Sequence, residues 1–266
     1  MVKRTFVAAT IAMLGLTVSA SADEGMWTFD AFPADKVRAA YGWAPDSVWL
    51  DCVREASVRL TSGCSASLVS REGLVLTNWH CSVECAQNNS TTENQYVKTG
   101  YTAMNREDEK ACPGVQAEVL MSITDMTERV KAAIAQAPSE EAIKARDAAI
   151  ALIEAEACKD LPKNRCQVVN LYHGGQFKLY TYRKYTDVRL VFIPEEAIGF
   201  FGGDPDNFNF PRYELDVSFV RLYEDGKPAA TPAHLAWRKG RAQGRRTAIG
   251  AGQPGLWQPF EHDRGT

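Results

Sequence analysis

Short runs in which apolar residues alternate with polar ones, separated by Gly, Pro, Asn and Asp, constrain this chain most. Ser65-Ala66-Ser67-Leu68-Val69-Ser70 and Leu74-Val75-Leu76-Thr77 flank Arg71-Glu72-Gly73, a tight turn with Gly at its end, and read as a β-hairpin. Val115 to Ile123 has strand character. Further on, Gln167 to Tyr172, Phe177 to Tyr182 and Val188 to Ile193 are aromatic and β-branched, with Gly174-Gly175 turning between the first two. Val217 to Tyr223 is another strand and Asp225-Gly226 its turn. Strands spaced in this way predict a closed antiparallel barrel in an all-β fold. The 19 Gly and 12 Pro agree, because a helical bundle has little use for so many breakers.

Helical pattern is confined to a few places. Asp30 to Gly42 carries it weakly, and Asp46 to Arg59 reads as a second short helix. Met126 to Gln136 and Ser139 to Cys158 are rich in Ala, Glu and Lys at helical spacing; Ser139, followed by Glu140 and Glu141, reads as an N-cap. These two segments predict a solvated helical hairpin inserted between strands. Asn88 to Tyr101 is polar and turn-rich and reads as loop.

Residues 1–22 have the form of a secretory signal. Lys3 and Arg4 supply the positive start, Phe6 to Val18 the apolar stretch, and Ala20-Ser21-Ala22 the small-residue site, with cleavage after Ala22. The apolar run is short of the ~20 residues a bilayer span needs. A periplasmic or secreted protein, away from the membrane once the signal is cut, is therefore expected. With a net charge of −3, the chain lacks the excess of Lys and Arg that nucleic-acid phosphates demand.

Export changes the meaning of the seven cysteines, since pairing is the default in an oxidising compartment. An odd number leaves at least one thiol over. A Cys64–Cys81 bridge would pin the turn after the hairpin to the neighbouring strand. Cys158 and Cys166 bracket Pro162 and would staple the exit of the helical hairpin. The partners of Cys52, Cys85 and Cys112 stay open. No pair of C-x-x-C knuckles occurs and His is scarce, so no metal site is expected.

Two residues stand out for chemistry. His80 follows an apolar strand and immediately precedes Cys81, so it would be rigidly held, as a general base must be. The plain alternative is a histidine that merely ends a strand. Asp216 leads into the Val217 to Tyr223 strand; as an acceptor for the histidine Nδ1 proton it would fix the tautomer, and otherwise it is a solvated turn acid.

Gly63-Cys64-Ser65-Ala66-Ser67 and Gly73-Leu74-Val75-Leu76-Thr77-Asn78-Trp79-His80-Cys81 resemble the His block of chymotrypsin-fold serine peptidases. More closely, they resemble the bacterial dipeptidyl-peptidase 7 and 11 family. Asp23-Glu24-Gly25-Met26-Trp27 is similar to that family's mature start. The block Phe201-Gly202-Gly203-Asp204-Pro205-Asp206-Asn207-Phe208, with Pro211-Arg212 and Asp216, is similar to its Asp block. The resemblance implies a chymotrypsin/trypsin-like first β-barrel over residues 23–238, with His80 as catalytic base and Asp216 as its orienting acid. Asn207 and Phe208 match positions that grip the substrate's free α-amino group. Trp79 stands where the family usually has His, and Phe208 where relatives often carry Trp. Asp204 and Asp206 would attract the ammonium, but turn chemistry explains them as well.

The implied activity is serine dipeptidyl aminopeptidase, releasing dipeptides from oligopeptides with a free N-terminus, with no cofactor. Intact relatives look dimeric, which implies a homodimer for the full-length protein. The resemblance places the nucleophilic Ser in a second barrel several hundred residues further on, and no serine here has the Gly-rich setting that barrel provides. The chain alone is therefore expected to be inactive. From Lys239 to Thr266 the strand pattern gives way to Arg, Gly and Gln, as an out-of-frame or truncated tail would read; a natural basic tail is the alternative. The competing functional reading is a non-catalytic secreted β-barrel, a peptide-binding module or pseudoenzyme.

Overall fold

The structure, a computed structural model, describes residues 26–203, 205, 211–238 and 249–252. The signal segment 1–22, Asp204, Asp206, Asn207, Phe208 and most of the 239–266 tail lie outside the described residues.

Two helices open the described chain, α1 (Ala34–Tyr41) and α2 (Ser47–Ala56). Asp46 caps α2 through its side chain, accepting from the Trp49 N–H at 2.8 Å. The helix ends at Ala56 rather than running on to Arg59, because Ser57-Val58-Arg59-Leu60 forms strand β1 (Ser57–Leu60), with Val58 and Leu60 buried. The predicted hairpin is β2 (Ser65–Leu68) and β3 (Leu74–Thr77), paired Ser67 to Leu76 and Leu68 to Val75. Gly73 in its turn has φ +69°, and a Cβ there would come within 2.6 Å of the Leu222 carbonyl oxygen, so only glycine fits.

Helix α3 (Trp79–Asn88) follows β3 directly. The stretch read as loop then contains a single helical turn, α4 (Tyr96–Thr99), and the short β4 (Tyr101–Thr102). After β5 (Lys110–Ala111) comes the long β6 (Ala117–Asp125). Next are helices α5 (Thr127–Ala135) and α6 (Ala142–Cys158), strands β7 (Asn164–Leu171), β8 (Gln176–Tyr185) and β9 (Asp187–Ile193), the one-turn α7 (Glu196–Gly199), and strands β10 (Ser218–Glu224) and β11 (Lys227–Pro228). Ser139 does not cap α6: it opens a 3-10 turn at Ser139–Glu141 without a side-chain cap bond, and the α-helix proper starts at Ala142.

Among the described residues every strand pairing is antiparallel, and the strands follow the order β4-β9-β10-β3-β2-β1-β6-β8-β7, with β11 on β10 and β5 on β9. The fold is thus a mostly antiparallel β-sheet with helices. Its main core gathers Val58, Leu60, Leu68, Val75, Val188, Leu190, Ile193, Val220 and Leu222, all at most 2% exposed. Each such side chain removed from water contributes roughly 1.5–3 kcal/mol before chain entropy is subtracted. A second cluster, Val130, Ile153, Val168, Phe177 and Leu179, seals α5 and α6 against β7 and β8.

Candidate active site

The register of β10 on β3 assembles the site. Ser218 pairs with Thr77, so Asp216, two residues upstream, lies level with the start of α3. The first N–H groups of a helix have no partner within it, and Asn78, the N-cap residue, does not cap α3 with its side chain. Asp216 does that work from across the sheet: its Oδ1 accepts from the His80 backbone N–H at 3.1 Å. The same carboxylate meets His80 Nδ1, at 2.9 Å from Oδ2 and 3.1 Å from Oδ1. Asn78 Nδ2 donates to Asp216 Oδ2 at 3.0 Å, and Ser218 Oγ donates to the Asn78 carbonyl oxygen at 2.7 Å. Asp216 therefore holds its histidine by both backbone and ring.

The two side chains differ sharply in exposure: 5% for Asp216 and 49% for His80. With Nδ1 turned to the carboxylate, Nε2 is the nitrogen left for a reacting group. Burial pushes the Asp216 carboxyl up, but the His80 backbone N–H, the His80 ring and Arg212 together hold it below the usual carboxylate value. An ionised Asp on Nδ1 fixes the tautomer in which Nε2 carries the lone pair, the state a general base requires.

Disulfides anchor α3 twice. Cys64–Cys81 ties the start of β2 to its first turn, and Cys85–Cys112 ties the next turn to the residue after β5. Cys158–Cys166 joins the end of α6 to β7, and Cys52 is a free, exposed thiol. Cys64, His80 and Cys81 lie close enough together to face one ion. Both sulfurs are committed to the disulfide, however, which removes the thiolates a metal would take.

Trp79, in the sequence only a departure from a motif, proves to be a structural pivot. It is buried, its Nε1–H donates to the Pro194 carbonyl oxygen at 3.0 Å, and its indole stacks on Phe200. Gly199 is seated against it so closely that a Cβ would fall 2.4 Å from Trp79 Cδ1. The Leu215 N–H bonds the Ile198 carbonyl oxygen at 2.8 Å, closing the stem of the segment between them. That segment contains Asn207 and Phe208, whose own positions lie outside the described residues.

Two further residues complete the surroundings of Asp216. Arg212 donates to Asp216 Oδ2 at 2.9 Å and also pairs with Glu214, whose side chain is 1% exposed. Neither was singled out from the sequence for a role; the signal was the Pro211-Arg212 pair within the Asp block. A groove of about 240 Å³ runs beside the pair, lined by Ser65, Ser67, Thr77, Asn78, Asp216 and Ala251 among others.

A carboxylate two residues before β10 thus caps α3 and orients a half-exposed histidine on it. Comparison with known proteins gives the family. Peptidase S46 matches residues 22–261, and the chain belongs to that family. It is 34% identical over 238 residues to the Asp/Glu-specific dipeptidyl-peptidase of Shewanella putrefaciens, covering 84% of this chain and 31% of that protein. It is 32% identical over 225 residues to dipeptidyl-peptidase 7 of Porphyromonas endodontalis, covering 81% and 27%. The crystal structure of Porphyromonas endodontalis DPP11 in complex with dipeptide Arg-Glu superposes with a TM-score of 0.66 at 28% identity, over 80% of this chain and 34% of that one. The chain thus spans about a third of the length of the relatives it matches.

Proposed function

We propose that this chain is the base-bearing portion of a serine dipeptidyl aminopeptidase that removes dipeptides from the free N-termini of oligopeptides. In this reading residues 23–238 are the chymotrypsin-like first barrel, with α5 and α6 as its inserted helical hairpin, and the nucleophilic serine comes from sequence outside these 266 residues. Relatives about three times as long support that division.

His80 Nε2 takes the proton from the serine hydroxyl as the oxygen attacks the second peptide carbonyl of the substrate. It then returns the proton to the leaving amine, while Asp216 holds the ring and balances the imidazolium. Asn207 and Phe208 take the substrate's α-ammonium group, which limits cleavage to the second bond. The observation that carries the reading is the His80 Nδ1–Asp216 contact of 2.9 Å on a helix pinned by Cys64–Cys81. We further propose export, with the first 22 residues removed: three disulfides favour an oxidising compartment, and no helix among the described residues is long and apolar enough to cross a membrane.

The test joins residues 23–238 to the C-terminal remainder of the Shewanella putrefaciens peptidase and measures release of dipeptides from a chromogenic dipeptide substrate. The chimera turns over, His80→Ala abolishes turnover, and Asp216→Asn lowers kcat by about 10⁴. The 266-residue chain alone neither turns over nor labels with a fluorophosphonate. Labelling of the chain alone, or an active His80→Ala chimera, contradicts the proposal.

A further inference from the structure

Asp216 is not shared by His80 and Asn78 alone. Its Oδ2, the oxygen nearest His80 Nδ1, also takes the Arg212 guanidinium at 2.9 Å, and that guanidinium is paired in turn with the buried Glu214. A histidine oriented by a carboxylate needs no cation on that carboxylate; on simple electrostatics, a cation there weakens the attraction of Asp216 for an imidazolium. We propose that Arg212 is a positioning residue for the His80–Asp216 pair, and that Arg212 and Glu214 together set the charge the imidazole meets. The proposal rests on the reading of His80 as the base, and concerns how that base is tuned.

The charges follow from the contacts. Two carboxylates and one guanidinium leave a single net negative charge, which protonated His80 cancels. Without Arg212, Asp216 faces the ring with no cation on its Oδ2 and stabilises the imidazolium more strongly. Without the charge of Glu214, Arg212 acts on Asp216 unopposed and disfavours it. β2 brings only the disulfide and uncharged residues; exposed Glu84, four residues on along α3, shares the face of His80 and is the same in every variant compared, so it does not alter the sign of the shifts. Glu214 Oε2 has no hydrogen-bond partner among the described residues, so Arg212 is the pairing that holds this buried carboxylate. Arg212 has a geometric role as well: its second anchor on Glu214 fixes the carboxylate plane of Asp216 that faces α3.

The test is an NMR titration of the imidazole in the 266-residue chain, which needs no turnover and so can fail independently of the peptidase reading. The His80 signal is assigned among the four histidines by its loss in His80→Gln. In Arg212→Gln the titration midpoint moves to higher pH than in the parent chain, by about half a unit or more. In Glu214→Gln it moves to lower pH, and in Arg212→Lys, which keeps the charge, it returns most of the way to the parent value. A purely structural arginine would not give shifts of opposite sign. Unchanged midpoints, or shifts of Arg212→Gln and Glu214→Gln in the same direction, overturn the proposal. If Arg212→Gln does not fold, Glu214→Gln and Arg212→Lys decide it.

Discussion

The region around α3 and the region around α5 and α6 are held together in opposite ways. Helix α3 is short and made of residues such as Trp79, His80, Cys81, Ser82 and Val83, none of which favours helix strongly. It persists because distant parts of the chain secure it: a carboxylate 136 residues away caps it, and disulfides leave it towards β2 and towards the residue after β5. Helices α5 and α6 are Ala- and Glu-rich, and they lie on an apolar cluster of their own built around Phe177 and Ile153. Their polar ties supplement that packing: Cys158–Cys166 spans eight residues, the Arg129–Glu156 pair is about half exposed, and Thr127 Oγ1 and Glu154 Oε1 accept from the Phe177 and Val168 backbone N–H groups at 3.0 and 2.7 Å. The first region is arranged by polar and covalent bonds over long sequence distances, and the second by local pattern and apolar packing. The proposed function puts its base in the first, where long-range partners fix an orientation that local packing alone does not supply.

Paired cavities should separate the two regions most clearly. Trp79→Ala and Phe177→Ala should each lose about 3–5 kcal/mol in denaturant unfolding. Only Trp79→Ala should displace the His80 imidazole signals, because only Trp79 packs beside the histidine and the Pro194 to Phe200 segment. Removing disulfides sharpens the same contrast. Cys64→Ser with Cys81→Ser should cost about 3 kcal/mol and broaden the His80 signals; Cys158→Ser with Cys166→Ser should cost slightly less and leave them in place.

Acid should act on the first region through Asp216. Its carboxyl is held below the ordinary value in the fold, so its contribution to stability is complete above the ordinary carboxylate pKa and is lost as pH falls through the depressed one. In Asp216→Asn that component should be missing from the acid-unfolding curve below about pH 4. The smallest effect falls on the second region: Arg129→Ala should change stability by no more than about 0.5 kcal/mol, since the pair it breaks is solvated.

The same contrast explains what could be read from the sequence. The β2–β3 hairpin, β6 to β10 and helices α5 and α6 follow local rules, alternation and helical spacing, and the sequence signals them within a few residues of their ends. Strand β1 escaped because Val58-Arg59-Leu60 follows α2 without a break and continues its apolar pattern. Helix α3 escaped because its stability comes from tertiary partners. His80, Asp216 and the two bridges Cys64–Cys81 and Cys158–Cys166 stood out as residues; the Cys85–Cys112 bridge and the Arg212–Glu214 pair did not. No local pattern tells which of several cysteines or acids meets a given partner across the sheet. Trp79 read as a mere departure because its meaning lies in the contacts to Gly199, Pro194 and Phe200.

The central claim is that Asp216 fixes His80 with its proton on Nδ1, leaving Nε2 as the base. Long-range ¹H–¹⁵N correlation of the histidine rings, above the His80 titration, reads this tautomer directly. The parent chain should show His80 with Nδ1 protonated and Nε2 bearing the lone pair, and Asp216→Ala should release the ring to a mixture richer in the Nε2–H form. A parent His80 already in the Nε2–H form, or one unaffected by loss of Asp216, would contradict the account.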